Sequence, residues 1–273
     1  MNNPTKTLGG IAVLATITLA LAACSPSGAG SAGPAGPTDD SLSAVQKAGT
    51  LTVGTEGTYR PFSFHEGGSG ELTGYDVEVI EAVGAELGVE VAFEETQWDA
   101  IFAGLQAGRF DVIANQVSIT PERSAEYLFS APYTYSTGVI VVPSDNTSIT
   151  SFDSLAGTTT AQSLTSNWYT LATESGATVQ SVEGWAQSVA LVESGRVDAT
   201  VNDKLTYLDY KTQTGAAGLK IAAETDERSE SAFAFAQGST ELADAVDDAL
   251  ASLRADGTLA KISATYFGTD VSK

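Results

Sequence analysis

The sequence predicts an α/β protein made of two similar lobes facing each other across a cleft, and three observations carry that expectation. Residues 98–115 (WDAIFAGLQAGRFDVIAN) return 87 positions later as residues 185–202 (WAQSVALVESGRVDATVN), with Trp, Ala, Gly, Arg, Asp and Asn identical at six of the eighteen aligned positions. Apolar residues switch between helical and strand spacing along most of the chain, the βαβ rhythm of a partly parallel sheet. A tract without bulky apolar residues separates a short apolar leader from about 230 residues able to build cores.

The leader has one lysine (Lys6), an apolar run over residues 8–23 and the end Leu21-Ala22-Ala23-Cys24, the layout of an export signal closing on small residues. At 16 residues, the run falls short of a membrane span of about 20. Residues 1–23 are therefore expected to be a signal peptide. Cys24, the only cysteine, then resembles the lipobox cysteine of bacterial lipoproteins, which carries the lipid. A buried free thiol is the alternative, and it fits poorly between a leader and a tether. Residues 25–40 (SPSGAGSAGPAGPTDD) offer too little apolar surface to offset ordering, so residues 24–40 read as a lipidated cysteine and flexible linker. Loss of Lys6 leaves 12 basic residues against 34 acidic ones, a formal charge of −22. Such a surface repels nucleic acid and anionic lipid, so attachment to a membrane falls to the lipid on Cys24.

From residue 51 the elements follow in order. Residues 51–54 form a short strand. Residues 75–87 place Ile80, Val83 and Leu87 at helical spacing, stop at Gly88, and lead to the alternating strand Val89, Val91, Phe93. Trp98, Ile101, Phe102 and Leu105 mark the next helix, Gly108 ends it, and residues 110–114 are a continuous apolar strand of the buried kind. Thr120 and Pro121 read as the N-cap and first position of a helix. A strand over 139–142 stops at Pro143. A second unit then runs through a strand at 158–161, a helix at 166–174, a strand at 178–182, the Trp185 helix and a strand at 197–201. A helix at 204–212, strands at 219–223 and 232–236, and two helices carrying Leu242, Val246, Leu253 and Leu259, Ile262, Tyr266 complete the chain.

Ligands in open parallel sheets sit beyond the carboxyl ends of strands, so residues just after the repeated strands are expected to line the cleft. After the first copy come Asn115, Gln116, Val117, Ser118 and then Arg123; after the second, Asn202 and Asp203. Arg grips a planar carboxylate with two parallel hydrogen bonds and Asp accepts from an ammonium, which together match an amino acid zwitterion. Each such bond contributes about 1.5 to 3 kcal/mol, and micromolar affinity needs about 8 kcal/mol net. Surface ion pairing of Arg123 and Asp203 is the bland alternative. Ser166 and Asn167 stand at a helix start that serves either as an anion subsite or as an ordinary N-cap. Glu56, Tyr59 and Phe62 follow the first strand and form a wall with Trp98, unless their rings are simply core. The shared Trp, Gly and Asp of the repeat read as scaffold, with Trp98 the exception.

These residues resemble the bacterial extracellular solute-binding proteins that serve polar amino acid ABC transporters. The resemblance runs from about residue 51 to 267 and includes GTEGTYRPF at 54–62, LTGYDVE at 72–78, GRFD at 108–111, SITPER at 118–123, FSAPY at 129–133 and GRVD at 195–198. The cystine-binding branch is the nearest likeness, through EETQWD at 94–99, NQV at 115–117, AQSLTSN at 161–167 and NDK at 202–204. It implies a type II periplasmic-binding-protein fold, with lobe 1 at 41–137 plus 228–273, lobe 2 at 138–227, and crossovers near 136–139 and 227–231. It further implies that Arg123 binds the α-carboxylate with help from Ser118 and Ser166, that Asp203 binds the α-amino group, and that Tyr59 and Phe62 face the side chain. At 165–167 this chain has Thr-Ser-Asn where many relatives have Gly-Thr-Thr or Gly-Thr-Asn.

The function expected is thus a monomeric, lipid-anchored, extracytoplasmic binding protein that delivers an amino acid, cystine first, to a membrane permease. It needs no metal or cofactor. A same-fold enzyme of dehydratase type is the main rival, with Glu56 and Asp203 as its place to look; a ligand-sensing lipoprotein is another. The single histidine, His65, lies in HEGGSGE, which reads as a hairpin loop and leaves no Ser-His-Asp or His-based metal site.

Overall fold

Residues 39–273 are described by a computed structural model, and the leader, Cys24 and the tract up to Thr38 lie outside the described residues. The first element is α1 (Ser41–Ala48), which sequence periodicity missed because Val45 is its one fully buried residue. β1 (Thr50–Thr55) follows. β2 (Thr58–Tyr59), β3 (Ser63–His65) and β4 (Leu72–Thr73) form a small antiparallel sheet around the HEGGSGE hairpin. α2 (Tyr75–Leu87) has the bounds that its apolar spacing and Gly88 predicted. Next come β5 (Glu90–Glu95), α3 (Trp98–Gln106) and β6 (Val112–Ser118). α4 (Pro121–Glu126) starts as expected, with Thr120 Oγ1 accepting from the Arg123 N–H at 3.2 Å and Pro121 at its first position. β7 (Tyr127–Phe129) and β8 (Thr134–Pro143) close the first half.

The second half contains β9 (Thr159–Gln162), α5 (Asn167–Glu174), β10 (Thr178–Ser181), α6 (Gly184–Glu193), β11 (Thr200–Asp203) and α7 (Lys204–Thr214). β12 (Leu219–Ala236), α8 (Thr240–Ala255) and α9 (Thr258–Phe267) then return to the first half. β12 is one strand of 18 residues, where two short strands were expected. The acidic stretch between them stays extended because β8 pairs with it along its length, from Leu219 opposite Pro143 to Ser231 opposite Thr134. β6 and β11 likewise run on to Ser118 and Asp203, so Asn115 and Asn202 lie within strands and not beyond them.

The main sheet has the order β11-β8-β12-β6-β1-β5, with β7 also on β12. β1 pairs in parallel with β5 and β6, whereas β12 and β8 run antiparallel to their neighbours. β8 and β12 are thus the two strands the lobes share. Both faces of each half are covered, and alternate strand residues enter different cores: Val112 and Ala114 one cluster and Ile113 and Val117 another in the first half, Val139 and Val141 against Ile140 and Val142 in the second. Each such fully buried aliphatic stabilises the fold by about 1.5 to 3 kcal/mol.

The repeat is a repeat of hydrogen bonds as well as of letters. Asp111 Oδ2 accepts the Thr52 N–H at 2.8 Å, and Asp198 Oδ2 accepts the Thr159 N–H at 2.8 Å, each pinning the neighbouring parallel strand. Gly108 and Gly195 take the left-handed conformation (φ 67° and 66°) that ends each copy's helix.

Candidate functional site

Glu56 just after β1, Tyr59 on β2, and residues of α3 and β6 on one side, and of β9, α5, α6 and β11 on the other, line one cavity. Six of the ten residues proposed from sequence line it: Glu56, Tyr59, Trp98, Gln116, Ser166 and Asn167. Ser118, Arg123, Asp203 and Phe62 do not.

Asn115 organises the first wall. Its Oδ1 accepts from Thr55 Oγ1 (3.1 Å), the Glu56 N–H (2.8 Å) and Ser63 Oγ (3.3 Å), while its Nδ2 donates to Glu56 Oε2 at 2.6 Å. Burial pushes the Glu56 carboxyl up to about 7, the Asn115 donor pulling the other way and Glu183 and Asp99 adding to the rise. Tyr59 crosses the cleft: its hydroxyl donates to Asn202 Oδ1 at 3.0 Å and shares a 3.0 Å hydrogen bond with Thr206 Oγ1. Gln116 has a left-handed backbone, φ 49°. Its N–H and Nε2 donate to Asp76 at 2.7 Å each, and Nε2 also donates to Thr134 Oγ1 at 3.0 Å. Ser166 Oγ is engaged as the N-cap of α5, accepting from the Tyr169 N–H at 3.0 Å, and Asn167 is the first residue of that helix.

The residues off the lining have defined places. Arg123 donates from Nη1 to the Ser118 carbonyl (3.0 Å) and from Nη2 to the Thr165 carbonyl across the cleft (3.1 Å), with its guanidinium 5.3 Å from the rings of Trp98 and Phe102. Desolvation holds its pKa down at about 10. Asp203 Oδ1 accepts from Ser136 Oγ (2.7 Å) and from the Leu205 N–H (2.8 Å), which makes it the N-cap of α7. Its carboxyl is pushed by burial up to about 6. Ser118 Oγ accepts from Ser229 Oγ at 3.3 Å. Phe62 is fully buried in the core of the first half, 5.0 Å from the Tyr59 ring and 6.0 Å from that of Phe267.

Four lining residues each hold a buried polar atom without a hydrogen-bond partner: Trp98 Nε1, Gln116 Oε1, Gln162 Nε2 and Trp185 Nε1. Leaving such an atom unpaired costs about 1 to 3 kcal/mol until something supplies a partner. Further bonds draw the two walls together. Asp99 Oδ1 accepts from the Thr165 N–H (3.0 Å) and Oγ1 (2.8 Å), and Arg60 Nε lies 3.4 Å from Asp209 Oδ2.

Sequence reasoning missed Gln162 and Trp185 as wall residues; Asn115 and Asn202 were expected to line the cleft and do, though the place of Asn115 as the hub was not read. The signal was present in the repeat. Trp185 occupies the place of Trp98 and Asn202 that of Asn115, and all four line the cavity. Taking Trp185 for scaffold is thereby corrected: the two lobes present their equivalent faces to one space. Among the described residues no group of three or more His, Cys, Asp or Glu is placed to hold a metal ion.

The family described as bacterial extracellular solute-binding proteins, family 3, matches residues 51–269. The L-cystine-binding protein TcyA of Bacillus subtilis is 49% identical over 254 residues, covering 93% of this chain and 94% of that protein. The L-cystine solute receptor of Neisseria gonorrhoeae, solved in an unliganded open conformation, is 47% identical with a TM-score of 0.59, covering 85% of this chain and 99% of that one. An ancestral arginine-binding protein bound to arginine is 36% identical, with a TM-score of 0.75 over 81% of this chain and 99% of that one.

Proposed function

Because the chain belongs to the bacterial extracellular solute-binding proteins, family 3, we propose that it captures an L-amino acid, cystine before others, between its lobes and delivers it to the permease of an ABC importer. One observation carries the site: four unpaired buried polar atoms on the walls of one cavity, three of them donors and one an acceptor, a pattern that awaits a polar ligand. The likeness is greater to the arginine-bound ancestral protein than to the unliganded open receptor, although the latter is more similar in sequence. That ordering fits a cleft drawn shut by the Tyr59, Asp99 and Arg123 bridges.

In this reading Arg123 turns from the Thr165 carbonyl to the α-carboxylate, assisted by Ser118 and the start of α5 at Ser166 and Asn167. Asp203 takes the α-ammonium, and Tyr59, Trp98, Glu56 and Gln116 meet the rest of the ligand. Phe62 acts through Tyr59, which it backs. Residues 41–137 with 228–273 form one lobe and 138–227 the other. Lipid on Cys24, exposed by removal of residues 1–23, holds a monomer at the outer face of the membrane. The protein returns its ligand unchanged; conversion of a bound amino acid by the purified protein would revive the enzyme reading.

A thermal-shift and calorimetric panel of the twenty amino acids and cystine tests this. Ligand at a hundred times its dissociation constant adds about 2.7 kcal/mol of stability. The buried Glu56 carboxylate favours a second ligand class, basic amino acids. A shift with arginine and none with cystine would establish it instead. Arg123→Ala is expected to abolish binding with the fold intact, and retained affinity in that variant would remove Arg123 from the site.

A further inference from the structure

Gln116 combines three features that a merely structural residue would not need together. It is the only non-glycine residue with positive φ among the described residues. It lines the cavity, and its Oε1 is buried without a partner. Asp76 holds both its backbone N–H and its amide. The fully buried Asp76 carboxylate accepts the Gln116 N–H on Oδ2 and an Nε2 hydrogen on Oδ1, and the second Nε2 hydrogen goes to Thr134 Oγ1. With Asp76 ionised, as its two accepted hydrogen bonds require, a flipped amide would set its oxygen against a carboxylate, so the side chain then has one orientation, with both amide hydrogens spent inside the protein and the oxygen left over. Glycine would hold this backbone without strain and leave no orphan acceptor. Strain maintained by a surrounding network is the mark of a functional position.

We propose that Gln116 reads the ligand, its Oε1 accepting a hydrogen bond from a primary ammonium of the bound amino acid, and that Asp76 is the positioning residue that fixes this acceptor. The proposal rests on the reading of the cavity as an amino acid site. An ammonium is the donor that suits a wall where Glu56 also stands.

Gln116→Gly separates the two roles, since it relieves the backbone and deletes the acceptor. A cooperative fold is expected to survive, the relieved backbone being set against the two Nε2 hydrogen bonds that are lost, with cystine affinity at least tenfold weaker by calorimetry. Asp76→Asn, which lets the amide turn over, is expected to weaken cystine in the wild-type background and to change nothing further in Gln116→Gly, because the group it orients is already gone. Should Asp76→Asn fail to fold, Gln116→Gly decides alone. Cystine affinity unchanged in Gln116→Gly overturns this proposal and leaves the amino acid site standing. Wild-type protein that binds neither cystine nor arginine overturns both.

Discussion

Trp98 and Trp185 each open a helix against the cavity, and each keeps an indole N–H without an acceptor. Phenylalanine retains most of the ring and deletes only that donor, so Trp185→Phe isolates it. The edge contact of Trp185 with Tyr210, centroids 5.7 Å apart at 80°, survives the change. A hydrogen bond of ordinary net worth, about 0.5 to 1.5 kcal/mol, corresponds to a roughly two- to tenfold loss of cystine affinity. The unliganded melting temperature should hold or rise, because an unsatisfied buried donor has been removed. Calorimetry and a melting curve on the same sample check both halves. If affinity is unchanged while stability falls, the indole serves packing and no ligand.

At the level of elements, local signals made every helix but α1 legible, and long-range pairing hid the strand ends. Gly88 after α2, Thr120-Pro121 before α4 and Ser166 before α5 are caps whose chemistry acts within a few residues, so their positions could be read directly. β12 could not, since its polar middle is extended only because β8 lies beside it. The same limit applies to the cavity. Glu56, Tyr59 and Gln116 were found from their place after strands, whereas the bond from Arg123 to the Thr165 carbonyl spans 42 residues and leaves no mark in either segment. The pairing of β8 and β12 slips between Glu224 and Arg228, and a side chain repairs the slip: Thr225 Oγ1 accepts from the Gly138 N–H at 3.0 Å and donates to the Glu227 carbonyl at 2.9 Å. Thr225→Val keeps the shape and removes both bonds. A loss of about 1 kcal/mol is expected, measured as a lower denaturant midpoint with an unchanged slope. A midpoint equal to wild type would show that the crossover does not depend on this bridge.

Across the whole molecule, burial has placed three acids where their charged forms are disfavoured. Glu56 and Asp76 are pushed up to about 7 and Asp203 to about 6, from ordinary values of 4.5, 3.8 and 3.8, with desolvation the first cause in each. A carboxyl raised in the folded state binds its proton there while the unfolded chain has already released it. Stability from these groups is therefore complete below about pH 4 and is lost as pH rises toward 7. The imidazole of His65, raised by hydrogen bonding to Glu95, adds stability in the same direction. Asp39, Glu122 and Asp270 are lowered by hydrogen bonds and act oppositely, but only as pH falls below about 4. The unliganded protein should thus melt higher at pH 5 than at pH 8. Ligand binding should run the other way. An ammonium needs Asp203 ionised, so binding near pH 6 must expel a proton, and cystine affinity must fall between pH 7.5 and 5. Calorimetry at pH 6 in buffers of different ionisation heat measures the proton directly, with release expected there and almost none at pH 8. Affinity constant from pH 5 to 8, with no dependence on buffer, would mean that no buried carboxylate pairs with the ligand.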